Sequence, residues 1–306
     1  MSKTKSTTSK STKNKPKIRS IISHKTSLLG LRESNEDVEL IEMNLIPQND
    51  KYAPIDLFIV CDGHGGKEVA EFVAPELKKY LMHPGNIYPL SKNKINKIYN
   101  SIQNKLINHV DEIAETCGCT ALVVVRYLDS SDQENIQIIN IGDCRAVLSR
   151  SGIAEPLSKD HKPIWPDEKK RIDKVNQKYY PETREIHFDH GDWRIGDLSV
   201  SRSFGDLDNT PHVTHLPDVY NKVLEYGDEF IVLACDGVWD VLQNHEVVNF
   251  IKDHQENNNI QFYNIPGKYP NDEVANNKNI ARKLASYAIA KGSGDNVSVI
   301  IIFFVD

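Results

Sequence analysis

Long apolar runs are missing from this 306-residue chain. The longest, Val299–Val305, has seven residues, against the roughly 18 or more that a membrane-crossing helix needs. Cysteine is scarce and odd in number: Cys61, Cys117, Cys119, Cys144 and Cys235. That argues against a disulfide framework and for free thiols in a reducing compartment. Cys117-Gly-Cys119 looks like half a zinc site, but no second pair at ligand spacing accompanies it. Acid is absent from the first 17 residues, which hold six Lys. The other 289 residues carry 31 bases against 43 acids, a net charge of -12 within a chain total of -6. An acidic body lacks the basic footprint of a nucleic-acid binder. No apolar segment follows the cationic start, and residue 2 is Ser, so neither a secretory signal nor N-myristoylation is expected. The expectation is a solvated tail (1–17) before one globular domain (18–306), soluble, monomeric and cytoplasmic.

What is present is a series of β-branched runs bounded by turn residues. Val38–Ile46, Ile55–Cys61, Thr120–Leu128, Ile136–Ile141, Arg145–Ser149, Glu229–Cys235 and Val297–Val305 read as strands. Helical spacing appears over Lys67–Leu81. It recurs after Ser91, a candidate N-cap, with Ile95, Ile98, Ile102, Leu106, Val110 and Ile113 on one stripe. Asp167–Val175, Asn244–Lys252 and Asn279–Ala290 read as further helices, and the Asn-rich 257–277 stretch as a surface loop. Strands, two helices, many strands and then strands with helices between them is not a strict βαβ alternation. The order favours an antiparallel α+β layered domain.

Two of the buried runs end alike, FIVCDGHGG (58–66) and IVLACDGVWD (231–240). Side chains alternate along a strand, so the Cys residues belong to the core while Asp62 and Asp236 point the other way. Asp295 stands where the last strand begins, and Asp143 in the turn between two strands. Carboxylates at the ends of buried strands must be paired, protonated or bound to a cation. Several converging together repel one another, and a hard divalent ion such as Mg²⁺ or Mn²⁺ relieves that. An isolated Asp-Gly is more often only a turn. The repetition of Cys-Asp-Gly together with Asp295 points instead to a metal site.

These segments resemble the metal-dependent serine/threonine protein phosphatases of the 2C family. GLRESNEDVEL (30–40), FIVCDGHGG (58–66), CGCTALVVV (117–125), IGDCRAVL (141–148), SKDHKP (158–163), WRIGDLSVSRSFGD (193–206), ACDGVWDVL (234–242) and GSGDNVSVI (292–300) are similar to the family's motifs, in the family's order. The resemblance implies a four-layer α-β-β-α sandwich, with two central antiparallel sheets and the site at one end. It implies two Mg²⁺ or Mn²⁺ ions bridged by Asp62, with Asp236 and Asp295 on one and the Gly63 carbonyl on the other. Glu36 and Asp37 would act through water. Asp143 and Asp240 match positions that form, with Asp236, a third and weaker site in some members. Arg32 would bind the substrate phosphate, and His64 would be the general acid. The reaction implied is attack on a phosphoserine or phosphothreonine by water activated between the two ions.

Other readings stand beside these. Arg32 could be a surface ion pair with Glu33 or Glu36. His161 reads as a loop anchor, Trp193 and Trp239 as core, and Arg202, Ser203 and Asp206 as residues that hold the fold. A pseudophosphatase binding module and a hydrolase of small phosphate esters are the alternatives to a protein phosphatase. A degenerate member usually loses a metal aspartate, and here Asp62, Asp236 and Asp295 are all present.

Overall fold

The computed structural model describes residues 19–44, 55–180, 183–257 and 278–305. The Lys-rich tail, residues 45 and 46 of the first expected strand and 258–277 of the Asn-rich stretch lie outside the described residues. In chain order, β1 (Ser20–Leu28), β2 (Val38–Asn44), β3 (Ile55–Cys61) and the two-residue β4 (Gly63–His64) lead into α1 (Glu68–Leu81) and α2 (Lys92–Ala114). Next come β5 (Gly118–Cys119), β6 (Ala121–Leu128), β7 (Glu134–Ile141), β8 (Arg145–Arg150), β9 (Ile153–Pro156) and α3 (Pro166–Lys178). A hairpin, β10 (Ile186–Asp189) and β11 (Asp192–Ile195), is followed by β12 (Phe204–Gly205), β13 (Asp218–Val223) and β14 (Asp228–Ala234). The chain closes with α4 (Asp236–Trp239), α5 (Asn244–Asn257), α6 (Ile280–Ala290) and β15 (Val297–Val305).

Two five-stranded antiparallel sheets dominate, in the orders β1-β15-β14-β8-β9 and β13-β7-β6-β3-β2. Their apolar runs are buried on both faces, and alternation sorts each run between two cores. In β3, Leu57, Ile59 and Cys61 face α1 and α2, while Phe58 and Val60 face the other sheet. In β14, Phe230, Val232 and Ala234 face α5 and α6, while Ile231 and Leu233 face inward. Three cores therefore separate four layers, helix–sheet–sheet–helix, as the family resemblance implies. The 3.6-residue stripe of α2 does the outer packing through Ile95, Ile98, Ile102 and Leu106. Ile113, expected on that stripe, is exposed near the helix end. Ser91 caps α2 by accepting from the Lys94 N–H at 3.3 Å.

Three features were not expected from the sequence. Phe204–Gly205, Gly118–Cys119 and Gly63–His64 form a small three-stranded sheet in the order β12-β5-β4. The β10–β11 hairpin, packed with α3 through Ile195, Val213 and Ile172, forms a satellite cluster. Trp193, expected in the core, stands exposed on that hairpin against Phe188, whereas Trp239 is buried as expected. Strand edges, short pairings and helix starts all deliver polar side chains to one end of the sandwich.

Candidate metal centre

The two Cys-Asp-Gly repeats end differently. Asp62 follows β3 and is fixed through its backbone: its N–H donates to Thr120 Oγ1 at 3.2 Å and its carbonyl accepts from the Thr120 N–H at 2.9 Å. Asp236 opens α4. Cys61 faces the α1/α2 core, whereas Cys235 lies between the sheets with its sulfur beside Asp37 and Asp62. Both thiols are buried, as expected.

The carboxylates converge from opposite ends of the chain. Ligand atoms of Asp37, Asp62 and Cys235 lie within 4.8 Å of one another, and so do those of Asp62, Asp143 and Asp236. Asp62 belongs to both groups. Arg32, Glu36, Asp62, Gly63, His64, Asp143, Asp236 and Asp295 line one cleft of about 410 Å³. Gly63 is required there by close approach, because a Cβ on it would sit 2.4 Å from the Glu36 carbonyl oxygen. The first loop is stapled to the last strand by Asn296. Its side chain accepts from the Glu36 N–H at 2.9 Å and donates to the carbonyls of Leu29 and Ser34, each at 2.9 Å.

This convergence is costly without cations. Burial pushes Asp62 well above the usual carboxylate range, and the charges of Asp236, Asp37, Asp143 and Asp295 push the same way. Asp236 is raised by burial, then by Asp143 and Asp240, and Lys162 only partly offsets this. Burial raises Asp37 to about 6, eased by Ser298 and Cys235 and worsened by Asp295. Neither oxygen of Asp37 meets a partner in hydrogen-bonding geometry, although both are buried. Orphaned carboxylate oxygens facing other carboxylates are the donor set of hard divalent ions, so the residues fit such ions.

The folded value of Asp37, about 6, exceeds its reference of 3.8, so the folded state binds that proton more tightly. Its ionisation therefore costs stability as pH rises from about 4 to about 6, by about 3 kcal/mol at full effect. In chelator, Asp37→Asn should gain on the unmodified protein through that window, read as urea midpoints. A gap that stays constant across the window would refute it. Bound divalent ions should erase the trend.

The remaining expected residues sit as follows. Glu36 accepts from the Gly66 N–H and the Ser34 hydroxyl, both at 3.1 Å. Arg32, 58 % exposed at its side chain, donates Nη2 to Asp295 Oδ2 at 2.7 Å, not to Glu33 or Glu36. His64 Nε2 lies 2.8 and 2.9 Å from the two carboxylate oxygens of Asp206, a buried residue with φ 48°. Burial pulls the His64 imidazole down, but the hydrogen bond and charge of Asp206, aided by Asp143 and Glu36, raise it overall. Ser203 donates to Oδ2 of the same carboxylate. Asp240, raised by burial and by Asp143, lies beside the cluster. His161 is the loop anchor expected, accepting from the Gly142 N–H at 3.1 Å.

Sequence reasoning assigned no site role to Asp206, Lys162, Asn296 or Thr120. Asp206 was legible only as a motif residue, and its left-handed backbone gives no compositional signal. Lys162 stands inside the SKDHKP motif with no role of its own assigned, yet it donates to Asp143 Oδ2 at 2.5 Å.

The chain is thus a four-layer α-β-β-α sandwich with a cluster of acids at one end. The sequence profile of protein phosphatase 2C matches residues 24–297, and the chain belongs to that family. A PP2C-like domain-containing protein of Acanthamoeba polyphaga mimivirus is 70% identical over 178 residues, 58% of this chain and 98% of that protein. A probable protein phosphatase 2C of Oryza sativa subsp. japonica is 31% identical over 280 residues, 91% of this chain. The chain spans only 50% of the rice protein's length. Among solved structures, a phosphatase from Toxoplasma gondii superposes with a TM-score of 0.73 at 22% identity, covering 94% of this chain and 93% of its own. At that identity the likeness speaks to the fold.

Proposed function

We propose that this chain hydrolyses phosphoserine and phosphothreonine in protein substrates, with two Mg²⁺ or Mn²⁺ ions in the cleft. The observation that carries the reading is Asp62, common to two groups of converging ligand atoms, beside the orphaned carboxylate of Asp37. Asp62, Asp236 and Asp295, with the Gly63 carbonyl, would hold the ions directly, and Glu36 and Asp37 through water. The ions would supply Lewis acidity and a water acidic enough to act as nucleophile near neutral pH.

The chain's own groups do the rest. Arg32 stands at the mouth, where its planar fork suits two phosphate oxygens. Leaving Asp295 for a phosphate costs it little, since an exposed ion pair is worth about 0–1 kcal/mol. Asp206 holds His64 by Nε2 and stabilises the imidazolium, which leaves Nδ1 as the atom that passes a proton to the departing Ser or Thr oxygen. Residues 18–306 are proposed to be the catalytic unit, with tail 1–17 separable from it. No helix among the described residues is long and apolar enough to cross a membrane.

Assay with phosphoserine and phosphothreonine peptides under metal titration tests the proposal. Turnover should appear on adding Mg²⁺ or Mn²⁺ and vanish in chelator. Undiminished turnover in excess chelator would overturn the metal requirement. Metal binding without turnover on any phosphopeptide would favour a binding module, and turnover confined to small esters would favour the alternative hydrolase.

A further inference from the structure

We propose that Lys162 is a resident cation of the cleft, its ammonium holding the place beside Asp143 that a third divalent ion would need. The protein then binds two ions rather than three. This rests on the two-ion reading above and adds to it a residue that sets the count. Lys162 Nζ lies 2.5 Å from Asp143 Oδ2 and 3.5 Å from Asp192 on the hairpin. Its side chain is 14% exposed and that of Asp143 only 2%, so this is not a surface lysine resting on a surface acid. Asp236 and Asp240, the other two residues expected around a third ion, both act on its charge.

The backbone puts the ammonium there. The His161 N–H donates to the Gly142 carbonyl at 2.9 Å, and His161 Nδ1 accepts from the Gly142 N–H at 3.1 Å. This reciprocal clamp fixes residues 161 and 142, so their successors, Lys162 and Asp143, are set side by side. A buried carboxylate needs a cation or a proton, and for Asp143 the chain supplies the cation itself. A divalent ion seeking Asp143 meets a tethered positive charge already seated on Oδ2. The direct ligands proposed for the two ions are Asp62, Asp236, Asp295 and the Gly63 carbonyl, so neither ion depends on Asp143.

Counting bound Mn²⁺ on the full chain tests this, with free Mn²⁺ followed by electron paramagnetic resonance during titration. The unmodified protein should bind two ions. Lys162→Met should bind three, and Lys162→Met combined with Asp240→Asn should return to two. Asp240→Asn alone should leave two, a measurement that stands even where Lys162→Met fails to fold. A third ion on the unmodified protein that is lost in Asp240→Asn would overturn the role of Lys162 and leave the two-ion reading intact. An unchanged count of two in folded Lys162→Met would do the same. Fewer than two ions on the unmodified protein would overturn both. The melting midpoint of Lys162→Met should also fall in chelator and recover with Mn²⁺ by more than the unmodified protein gains.

Discussion

Asp62→Asn is expected to lower turnover on phosphoserine peptides by more than about 10²-fold and, in chelator, to make the protein more stable. The two effects have one origin. Loss of a residue that only orients a metal ligand typically costs about 10–100-fold, and Asp62 is proposed to touch both ions. Without metal the same carboxylate is a liability, buried and opposed by Asp236, Asp37, Asp143 and Asp295. Asn keeps the shape and removes the charge, so repulsion falls for every neighbour at once. The measurements are steady-state rates with saturating Mn²⁺ and urea midpoints in chelator. A near-normal rate would place the chemistry elsewhere. A loss of metal-free stability would mean that Asp62 is paired rather than repelled.

His64→Ala is expected to cost about 10²–10⁴-fold on phosphoserine peptides, the usual range for a positioned acid. On p-nitrophenyl phosphate the loss should be slight, because that phenolate departs without needing a proton. Equal losses on both substrates would remove the acid role. Asp206→Asn should show the same selectivity at smaller size and move the alkaline limb of the peptide reaction to lower pH, since it removes the charge that keeps the His64 imidazolium protonated without deleting the ring. Gly118 offers an independent probe. A Cβ there would lie 2.2 Å from Asp206 Oδ2 and 2.5 Å from His64 Nε2, so Gly118→Ala must part the pair.

The large strands were legible because burial on both faces leaves an uninterrupted apolar signature, as in Ile55–Cys61 and Val297–Val305. Ser91 was legible because capping is local chemistry. The acidic cluster was legible as residues that needed an explanation, and the family's motif order supplied their register. The small sheet was not, since two-residue strands such as Gly118–Cys119 carry no periodicity. Neither was the β10–β11 hairpin, whose residues are mostly polar and exposed. Its signal was the turn, where His190 and Gly191 take φ of 47° and 86° in the two-residue connection that favours a primed turn. Lys162 and Asp206 owe their roles to partners far along the chain, and no local pattern encodes those.

The pairing of β1 with β15, Ser20 opposite Val305 through Leu28 opposite Val297, has a bearing on synthesis. β1 finds its neighbour only after everything that lies between the two strands in the chain has been made. Such long-range closure is slow, because the entropy of the intervening chain is lost before the contact is gained. Asp295 and Asn296 travel with that closing strand, and Asn296 is what ties Glu36 into the cleft. A nascent chain can thus complete much of the β2–β3–β6–β7 sheet while its acidic end is still open. The cleft would be assembled only when β15 pairs with β1, after the rest of the acidic residues already have their strands.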